Sequence, residues 1–143
     1  MKKFKFRLEK ILHYRDGIKQ ERLRELQLAN QQLRAAEVKL DELRDAFLKN
    51  DMPDGNILPV EEVYIRSAYG ERLKSEIERQ LVFIEQCQAA VEQARAIYIE
   101  ASREVEVLVK LKERKQEAFN VFVAKQEEIF LDELVTQRVR IHK

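Results

Sequence analysis

The sequence is poor in the residues that interrupt helices and in the residue that cross-links chains. Among its 143 residues are three glycines, two prolines, one cysteine and no tryptophan. So few glycines and prolines argue against a fold rich in turns. The lone cysteine, Cys87, excludes an internal disulfide and is typical of a reducing compartment. A chain of this length predicts a single domain over residues 1–143.

Long apolar runs and a large net charge are also absent. No stretch approaches the roughly 20 apolar residues that span a bilayer, and the basic N-terminus lacks the apolar run of a signal peptide. The net charge of +1 gives no general attraction to nucleic acid or anionic lipid. We therefore expect a soluble intracellular protein with no transmembrane segment and no nucleic-acid partner.

What the chain does contain is the composition of long amphipathic helices, with 45% hydrophobic and 37% charged residues. Two stretches carry apolar residues at alternating spacings of three and four, which is the pattern of a coiled-coil seam. Their heptad series are Leu26, Leu33, Leu40 and Phe47, and later Ile77, Ile84, Val91, Tyr98 and Val105.

Pro53, Gly55 and Pro59 interrupt the pattern between the two stretches. Because helices rarely continue through such residues, the sequence predicts a connector between two helices. Folding back at the connector gives an all-α, antiparallel coiled-coil hairpin whose second helix is longer and overhangs at the terminal end. The predicted bounds are about 4–49 for helix 1, 50–59 for the connector and 60–141 for helix 2.

The overhang is the part of the hairpin that needs a partner. If residue i faces residue 113 − i, Ala36 lies opposite Ile77. The N-terminal end of helix 1 then lies opposite about Leu108. The apolar residues beyond that point then have no partner within the chain, and exposed phenylalanines on a helix mark an interface. These residues include Phe119, Phe122, Ile129 and Phe130.

The N-terminal arm is basic. Residues 1–24 contain nine Lys or Arg and three Asp or Glu, and nine minus three leaves a net charge of +6. The antiparallel fold brings this arm alongside helix 2 near the overhang. Basic and apolar residues at one end favour a surface that docks another protein over a merely solvated surface.

No motif for catalysis, cofactor binding or metal binding occurs. The chain has no glycine-rich phosphate loop, no HExxH sequence and no paired cysteines. His13 and His142 lie near opposite termini, and the predicted register does not bring them together. Cys87 occupies a seam position, where a small buried hydrophobe is expected. The sequence predicts a protein that is not an enzyme and holds no cofactor or metal.

Four sequence blocks resemble the bacterial flagellar FliJ family, and together they extend over nearly the whole chain. They are the opening from Phe4 to Arg15, the block Leu33-x-x-Ala36-Glu37-x-x-Leu40, the run from Leu108 to Lys115 with Phe119, and Asp132-Glu133-Leu134 before Arg138.

This resemblance implies a component of the flagellar type III export apparatus that forms a two-helix antiparallel coiled coil. It implies binding to the hexameric export ATPase and to the membrane export gate protein, and a part in handling export chaperones. The implied location is the cytoplasm, peripheral at the cytoplasmic face of the inner membrane. By resemblance the terminal end enters the ATPase ring, through Lys3, Lys5, Arg7, Lys10, Phe119, Phe122, Ile129 and Phe130.

The resemblance places the contact with the export gate toward the connector. Matching through the block around Ala36 puts it near Lys39, Leu43, Ala46 and Asn50 on helix 1 and near Tyr69, Leu73, Glu76 and Gln80 on helix 2. The gate-binding candidates are Leu43, Tyr69, Leu73 and Gln80.

Two other interpretations fit the same residues. One is the equivalent stalk protein of a virulence type III secretion system, which shares the architecture. The other is a structural coiled-coil adaptor that self-associates through the tail. Stalk proteins of either system are expected to be monomeric alone and to join a hexameric ATPase, whereas the adaptor is expected to dimerise.

Overall fold

The computed structural model describes residues 3–51 and 57–141, and within them the chain forms two helices. Helix α1 runs over Glu9–Asn50 and helix α2 over Val60–Ile141, with 42 and 82 residues respectively. They pack as an antiparallel helical hairpin, which confirms the predicted all-α fold with a longer second helix. Half of the predicted connector, residues 52–56, lies outside the described part of the chain; of the other half, Asn50 is the last residue of α1 and residues 51 and 57–59 are non-helical.

The ends of both helices carry charges that suit the helix dipole. Glu9 lies in the first turn of α1, and Lys49 lies in its last turn. The α2 helix begins with Glu61 and Glu62 in its first turn and ends with Arg138 and Arg140 in its last. Carboxylates near the amino end and cations near the carboxyl end of a helix each stabilise it by roughly 0.3–1 kcal/mol.

Helix α1 begins later than the predicted start near Phe4. Residues 3–6 have no regular structure, residues 7–8 form a turn, and the first helical residue is Glu9. The Leu12 amide donates to the Leu8 carbonyl oxygen at 2.9 Å, so Leu8 accepts the first bond of the helix. The Val63 amide bonds the Pro59 carbonyl oxygen at 3.1 Å in the same way at the start of α2.

The described residues separate into two compact units. The hairpin unit comprises residues 20–51 and 57–99, and the terminal unit comprises residues 3–19 and 100–141. Each unit contains a segment of α1 and a segment of α2, and each is described by itself below.

The hairpin unit is held together by a thin apolar seam. Its core cluster consists of the buried side chains of Ala36, Leu40, Ile84 and Cys87, with Leu33 and Ile77 packed against them. No side chain among the described residues is less than 2% exposed. The helices therefore meet through a single layer of side chains, and Cys87 is part of that layer as its heptad position predicts.

The helix register in the hairpin unit differs from the predicted one. The Gln80 side-chain amide donates to the Ala36 carbonyl oxygen at 2.9 Å, whereas the prediction placed Ile77 opposite Ala36. A shift of three or four residues brings the same apolar stripe back to the partner helix, because the seam repeats at that spacing. Apolar periodicity alone therefore leaves the register open, and the Gln80 contact shows which register the chain adopts.

In the terminal unit the two helices are joined by a few apolar contacts and two ion pairs. Ala101 and Val105 are buried. Arg15 Nη1 lies 2.7 Å from Glu104 Oε2, and Lys112 Nζ lies 2.8 Å from Glu9 Oε2. Arg15 lies three heptads before the core residue Ala36 and so at a position of the apolar seam, and an ion pair there replaces the apolar layer. These half-exposed pairs orient the helices and stabilise the unit only modestly.

None of the helices within the described residues combines the length and the apolar character required to cross a membrane.

Gly17 lies in the interior of α1 with open space around it, and its replacement by alanine should stabilise the protein. Apart from its chain neighbours and the backbone of its own helix, no atom lies within 4 Å of the position that a Cβ at residue 17 would occupy. Alanine is better than glycine inside a helix by about 0.5–1 kcal/mol. We expect Gly17→Ala to raise the free energy of unfolding by that amount in urea denaturation followed by circular dichroism.

Gly70 in α2 provides the matched comparison. A Cβ there would lie 3.3 Å from Asn50 Nδ2, which donates to the Arg66 carbonyl oxygen at 2.8 Å. Alanine at residue 70 brings the same gain in helix propensity, but its Cβ displaces the Asn50 amide, which offsets part of that gain. Gly70→Ala should therefore give a smaller gain than Gly17→Ala, and a larger gain at Gly70 would contradict the described packing.

Candidate functional site

The N-terminal segment of the terminal unit, residues 3–8, packs against α2 and ends in the turn at residues 7–8, and we call it the strap. Exposure alternates along it: Phe4, Phe6 and Leu8 are half-buried, and the three basic residues between and before them are exposed. An alternation of period two is what an extended chain produces when one of its sides is covered. The strap therefore holds its apolar side against the protein and presents Lys3, Lys5 and Arg7 to solvent.

The strap is fastened to α2 by an aromatic pair. The ring centroids of Phe4 and Phe119 lie 5.7 Å apart with the ring planes tilted by 47°. Such a pair contributes roughly 0.5–1.5 kcal/mol beyond the area it buries. The prediction that the apolar residues beyond Leu108 have no partner within the chain is therefore wrong for Phe119. The reason is the register: Glu9 pairs with Lys112, whereas the predicted register places Glu9 opposite residue 104, so the segment before Glu9 lies farther along α2 and meets Phe119.

Between the strap and α2 lies a groove of about 1030 Å³, which we call the strap groove. Its lining contains five apolar side chains, four cations and no carboxylate. The nearby Glu9 carboxylate is 2.8 Å from Lys112 Nζ and is neutralised by it. The groove is thus apolar at its base and positively charged at its rim. The lining residues are Lys3, Phe4, Lys5, Phe6, Arg7, Leu8, Leu111, Lys115 and Phe119.

The part of α2 beyond Phe119 presents apolar side chains to solvent. Phe122 is 58% exposed and Phe130 is 60% exposed. Ile129, Leu131 and Leu134 are exposed as well. A helix this apolar without a covering element is typical of an interaction surface. The predicted ATPase-binding residues thus fall into three groups. The strap cations and Phe119 line one groove. Phe122, Ile129 and Phe130 lie farther along α2, and Lys10 is exposed in the first turn of α1.

The predicted gate-binding residues lie in the hairpin unit, and most of them line a second, smaller groove of about 270 Å³. Of the eight positions matched by resemblance, six are in its lining: Lys39, Leu43, Ala46, Tyr69, Leu73 and Glu76. We call this the hairpin groove. Glu42 and Arg72 complete its lining, so both charge signs are present at its rim.

Exposure divides the gate-binding candidates into two kinds. Tyr69 is 45% exposed and Leu43 is half-buried, so both can touch a partner. Leu73 is only 3% exposed and Gln80 only 9%, and both lie in the seam between the helices. The Gln80 side-chain amide donates a hydrogen bond to the Ala36 carbonyl oxygen. Asn50, another matched position, uses its amide to bond the Arg66 carbonyl oxygen.

Two structural features were missed from the sequence, although a signal for each is present. The alternation Lys-Phe-Lys-Phe-Arg-Leu over residues 3–8 has the period of a strand and so indicates an extended segment before the helix. Gln80 lies at seam spacing between Ile77 and Ile84, which indicates a buried polar contact between the helices.

The described residues contain no cluster of three or more His, Cys, Asp or Glu side chains that could hold a metal ion. His13 is exposed on α1, and His142 lies outside the described residues. What the terminal and hairpin units present are grooves and apolar faces, which suit the binding of other proteins.

The family model described as flagellar FliJ protein matches residues 4–143. No curated protein and no solved structure matches the chain.

The Phe4–Phe119 pair should control how tightly the strap is held. Replacing Phe4 by serine removes one ring, so the strap should leave α2 more often and become accessible to trypsin. We expect cleavage after Lys5 and Arg7 to be several-fold faster in Phe4→Ser, as followed by mass spectrometry, because the lost pair contributes roughly 0.5–1.5 kcal/mol. Tyr14→Ser is the matched control, since Tyr14 is exposed on α1. Equal cleavage of Phe4→Ser and the unaltered protein would contradict the role given to the pair.

Proposed function

The chain belongs to the flagellar FliJ family, whose members are non-enzymatic components of the flagellar export apparatus, and from that premise we propose that it joins two parts of that apparatus. In this proposal the terminal unit binds the hexameric export ATPase, and the hairpin unit binds the membrane export gate protein. The chain works in the cytoplasm, peripheral to the inner membrane, and helps deliver export chaperones and their substrates. The role with chaperones rests on the family alone.

The observation that carries the ATPase contact is the combination of charge and apolar surface in the terminal unit. The strap presents Lys3, Lys5 and Arg7, and Lys10 follows on α1. The α2 tail presents Phe122, Ile129 and Phe130. Cations at the rim of an interface steer a partner and set its orientation, whereas exposed aromatic and aliphatic side chains supply most of the affinity.

Phe119 has a different part in this proposal from the one expected of an exposed side chain. Its ring is packed against Phe4 and forms one wall of the strap groove. It therefore holds the strap cations beside the exposed tail and contributes to the contact chiefly by positioning them. The residues that would touch the ATPase directly are the strap cations, Lys10 and the exposed tail residues.

The gate contact is supported by the hairpin groove. Six of the positions matched by family resemblance line this single groove. We propose that Tyr69 and Leu43 contact the gate protein there, and that the buried Leu73 forms the floor. Gln80 supports the groove from the seam by holding α2 in register with the Ala36 carbonyl oxygen. The match to a flagellar family model favours this assignment over a virulence secretion system.

Reversal of the basic charges tests the ATPase contact. The variant carries Lys3, Lys5, Arg7 and Lys10 all changed to Glu, and binding to the purified ATPase is measured by isothermal titration at low and high salt. We expect the dissociation constant to rise on the order of tenfold or more at low salt, and the difference to shrink as salt screens the charges. Circular dichroism should show unchanged helicity.

The matched control reverses four exposed cations of the hairpin unit, Arg44, Lys49, Arg79 and Arg95, and changes the net charge by the same amount. Its affinity for the ATPase should stay close to that of the unaltered chain. Equal loss in both variants would show a general charge effect. Unchanged affinity of the strap variant at low salt would remove the basic arm from the contact.

Tyr69→Ala tests the gate contact. Loss of the exposed ring should weaken binding to the cytoplasmic domain of the gate protein by on the order of tenfold, since aromatic anchors dominate interfaces. Tyr64→Ala is the control, because Tyr64 is exposed on the same helix outside the hairpin groove. Binding to the ATPase should be unchanged in both variants. Equal gate affinities of the two variants would contradict the assignment of the groove.

A further inference from the structure

We propose that the terminal unit binds an anionic lipid surface, through the cations of the strap and one exposed stripe of α2. We call this stripe the tail stripe; it comprises Lys115, Ala118, Phe122, Lys125 and Ile129, all of which are exposed. The inference concerns lipid alone, so it rests neither on the ATPase contact nor on the gate contact.

The tail stripe lies on a single face of α2. Its residues follow one another at spacings of three and four, so they lie one above another along about 21 Å of the helix. The stripe contains two large apolar side chains, two lysines and no acidic residue. Phe122 is 58% exposed and Ile129 is 50% exposed. The stripe ends at Ile129, because the next position at this spacing is Asp132.

The acidic residues near the stripe lie on other faces of the helix. At about 100° per residue, each of them points about 100° or more away from the middle of the stripe. These residues are Glu113, Glu117, Glu127 and Glu128. A flat surface can therefore approach the stripe without meeting a carboxylate on the same face.

The strap supplies further cations beside the stripe. The three strap cations are exposed, and they line the strap groove together with Lys115, the first residue of the stripe. No carboxylate lines that groove, and the Glu9 carboxylate next to the strap is paired with Lys112. Among the described residues, neither the strap cations nor Lys115 nor Lys125 form ion pairs. Five cations are therefore available to anionic headgroups.

Cations and exposed apolar side chains on one surface are typical of a peripheral membrane contact. Lysine and arginine are attracted to anionic headgroups, and aromatic and aliphatic side chains enter the boundary between headgroups and acyl chains. Stable attachment to a bilayer surface takes two such contributions together. The terminal unit provides both, since Phe122 and Ile129 alternate with the two lysines of the tail stripe.

The net charge of +1 does not oppose this contact. Attraction to a charged surface falls off within about 8–10 Å at ordinary ionic strength, so it depends on the charges next to that surface. The strap and the tail stripe together carry five cations and no acidic residue. Because the same strap cations are proposed to bind the ATPase, lipid and ATPase compete for the terminal unit.

The test is co-sedimentation of the full chain with lipid vesicles, with no other protein present. One kind of vesicle contains equal amounts of phosphatidylglycerol and phosphatidylcholine, and the other contains phosphatidylcholine alone. At low salt we expect the affinity for the anionic vesicles to exceed the affinity for the neutral ones on the order of tenfold or more. The difference should shrink as salt is added, because salt screens the charges.

Reversal of the strap charges tests the electrostatic part of the contact. The variant with Lys3→Glu, Lys5→Glu and Arg7→Glu should bind the anionic vesicles on the order of tenfold or more weakly at low salt. The matched control reverses three exposed cations of the hairpin unit and should keep most of the affinity. Circular dichroism should show equal helicity in both variants. The control substitutions are Lys49→Glu, Arg79→Glu and Arg95→Glu.

Two neighbouring side chains test the face of α2. Ile129 belongs to the tail stripe, whereas Leu131, two residues farther on, points to the opposite side of the helix. Both are exposed, Ile129 by 50% and Leu131 by 60%. Ile129→Ser should weaken binding to the anionic vesicles several-fold, because its side chain no longer enters the lipid boundary. Leu131→Ser should leave that binding close to the value of the unaltered chain.

Four results would overturn the proposal. The first is no binding to the anionic vesicles at low salt, which would leave the strap and the tail to protein partners alone. The second is equal affinity for the two kinds of vesicle. The third is an equal loss in the strap variant and its control, which would show a general charge effect. The fourth is an equal effect of the two serine substitutions. Since no ATPase and no gate protein is present, none of these results bears on the proposed function.

Discussion

The single apolar layer between α1 and α2 is the interaction on which the rest of the structure depends. In the hairpin unit the layer is built from small and medium side chains, and no described side chain is completely buried. A seam this thin stabilises a hairpin but leaves most of each helix surface facing outward. The exposed side chains of the hairpin groove, such as Tyr69, are therefore on helices whose inner faces hold the hairpin together.

The thin seam also explains why polar contacts matter for register. Apolar residues at spacings of three and four fit a partner helix equally well after a slip of one turn. A slip would leave the Gln80 amide without the Ala36 carbonyl oxygen in a buried position, and buried polar groups without partners cost about 1–3 kcal/mol. One side-chain hydrogen bond thus selects among registers that the apolar stripe alone cannot distinguish.

The repeat of the apolar stripe also determines which features could be predicted from the sequence. Heptad spacing around Leu33 and Ile84, and the break at Pro53 and Pro59, were enough to predict the hairpin and its longer second helix. The register was not predictable from spacing, because several registers share the same stripe. The strap was missed because its alternation of apolar and basic residues covers only residues 3–8, next to a strong helical pattern. Phe119 has a partner, Phe4, because the adopted register places Glu9 beside Lys112, farther along α2 than the predicted register does.

The residues of the two candidate sites could not be predicted from the sequence equally well. Six of the positions matched by resemblance line one groove, because side chains at spacings of three and four share one face of a helix once the hairpin is formed. Sequence matching did not separate the exposed Tyr69 from the buried Leu73, because exposure depends on the register.

In the terminal unit, the apolar residues beyond Phe119 could be recognised in the sequence, but the groove beside them could not, because the strap forms one of its walls. Apolar side chains exposed on a helix mark an interaction surface, and a partner that covers them stabilises the folded helix by mass action. The strap covers the first of these side chains within the chain, and the remaining ones make the terminal unit the part of this protein whose state depends most on its partners.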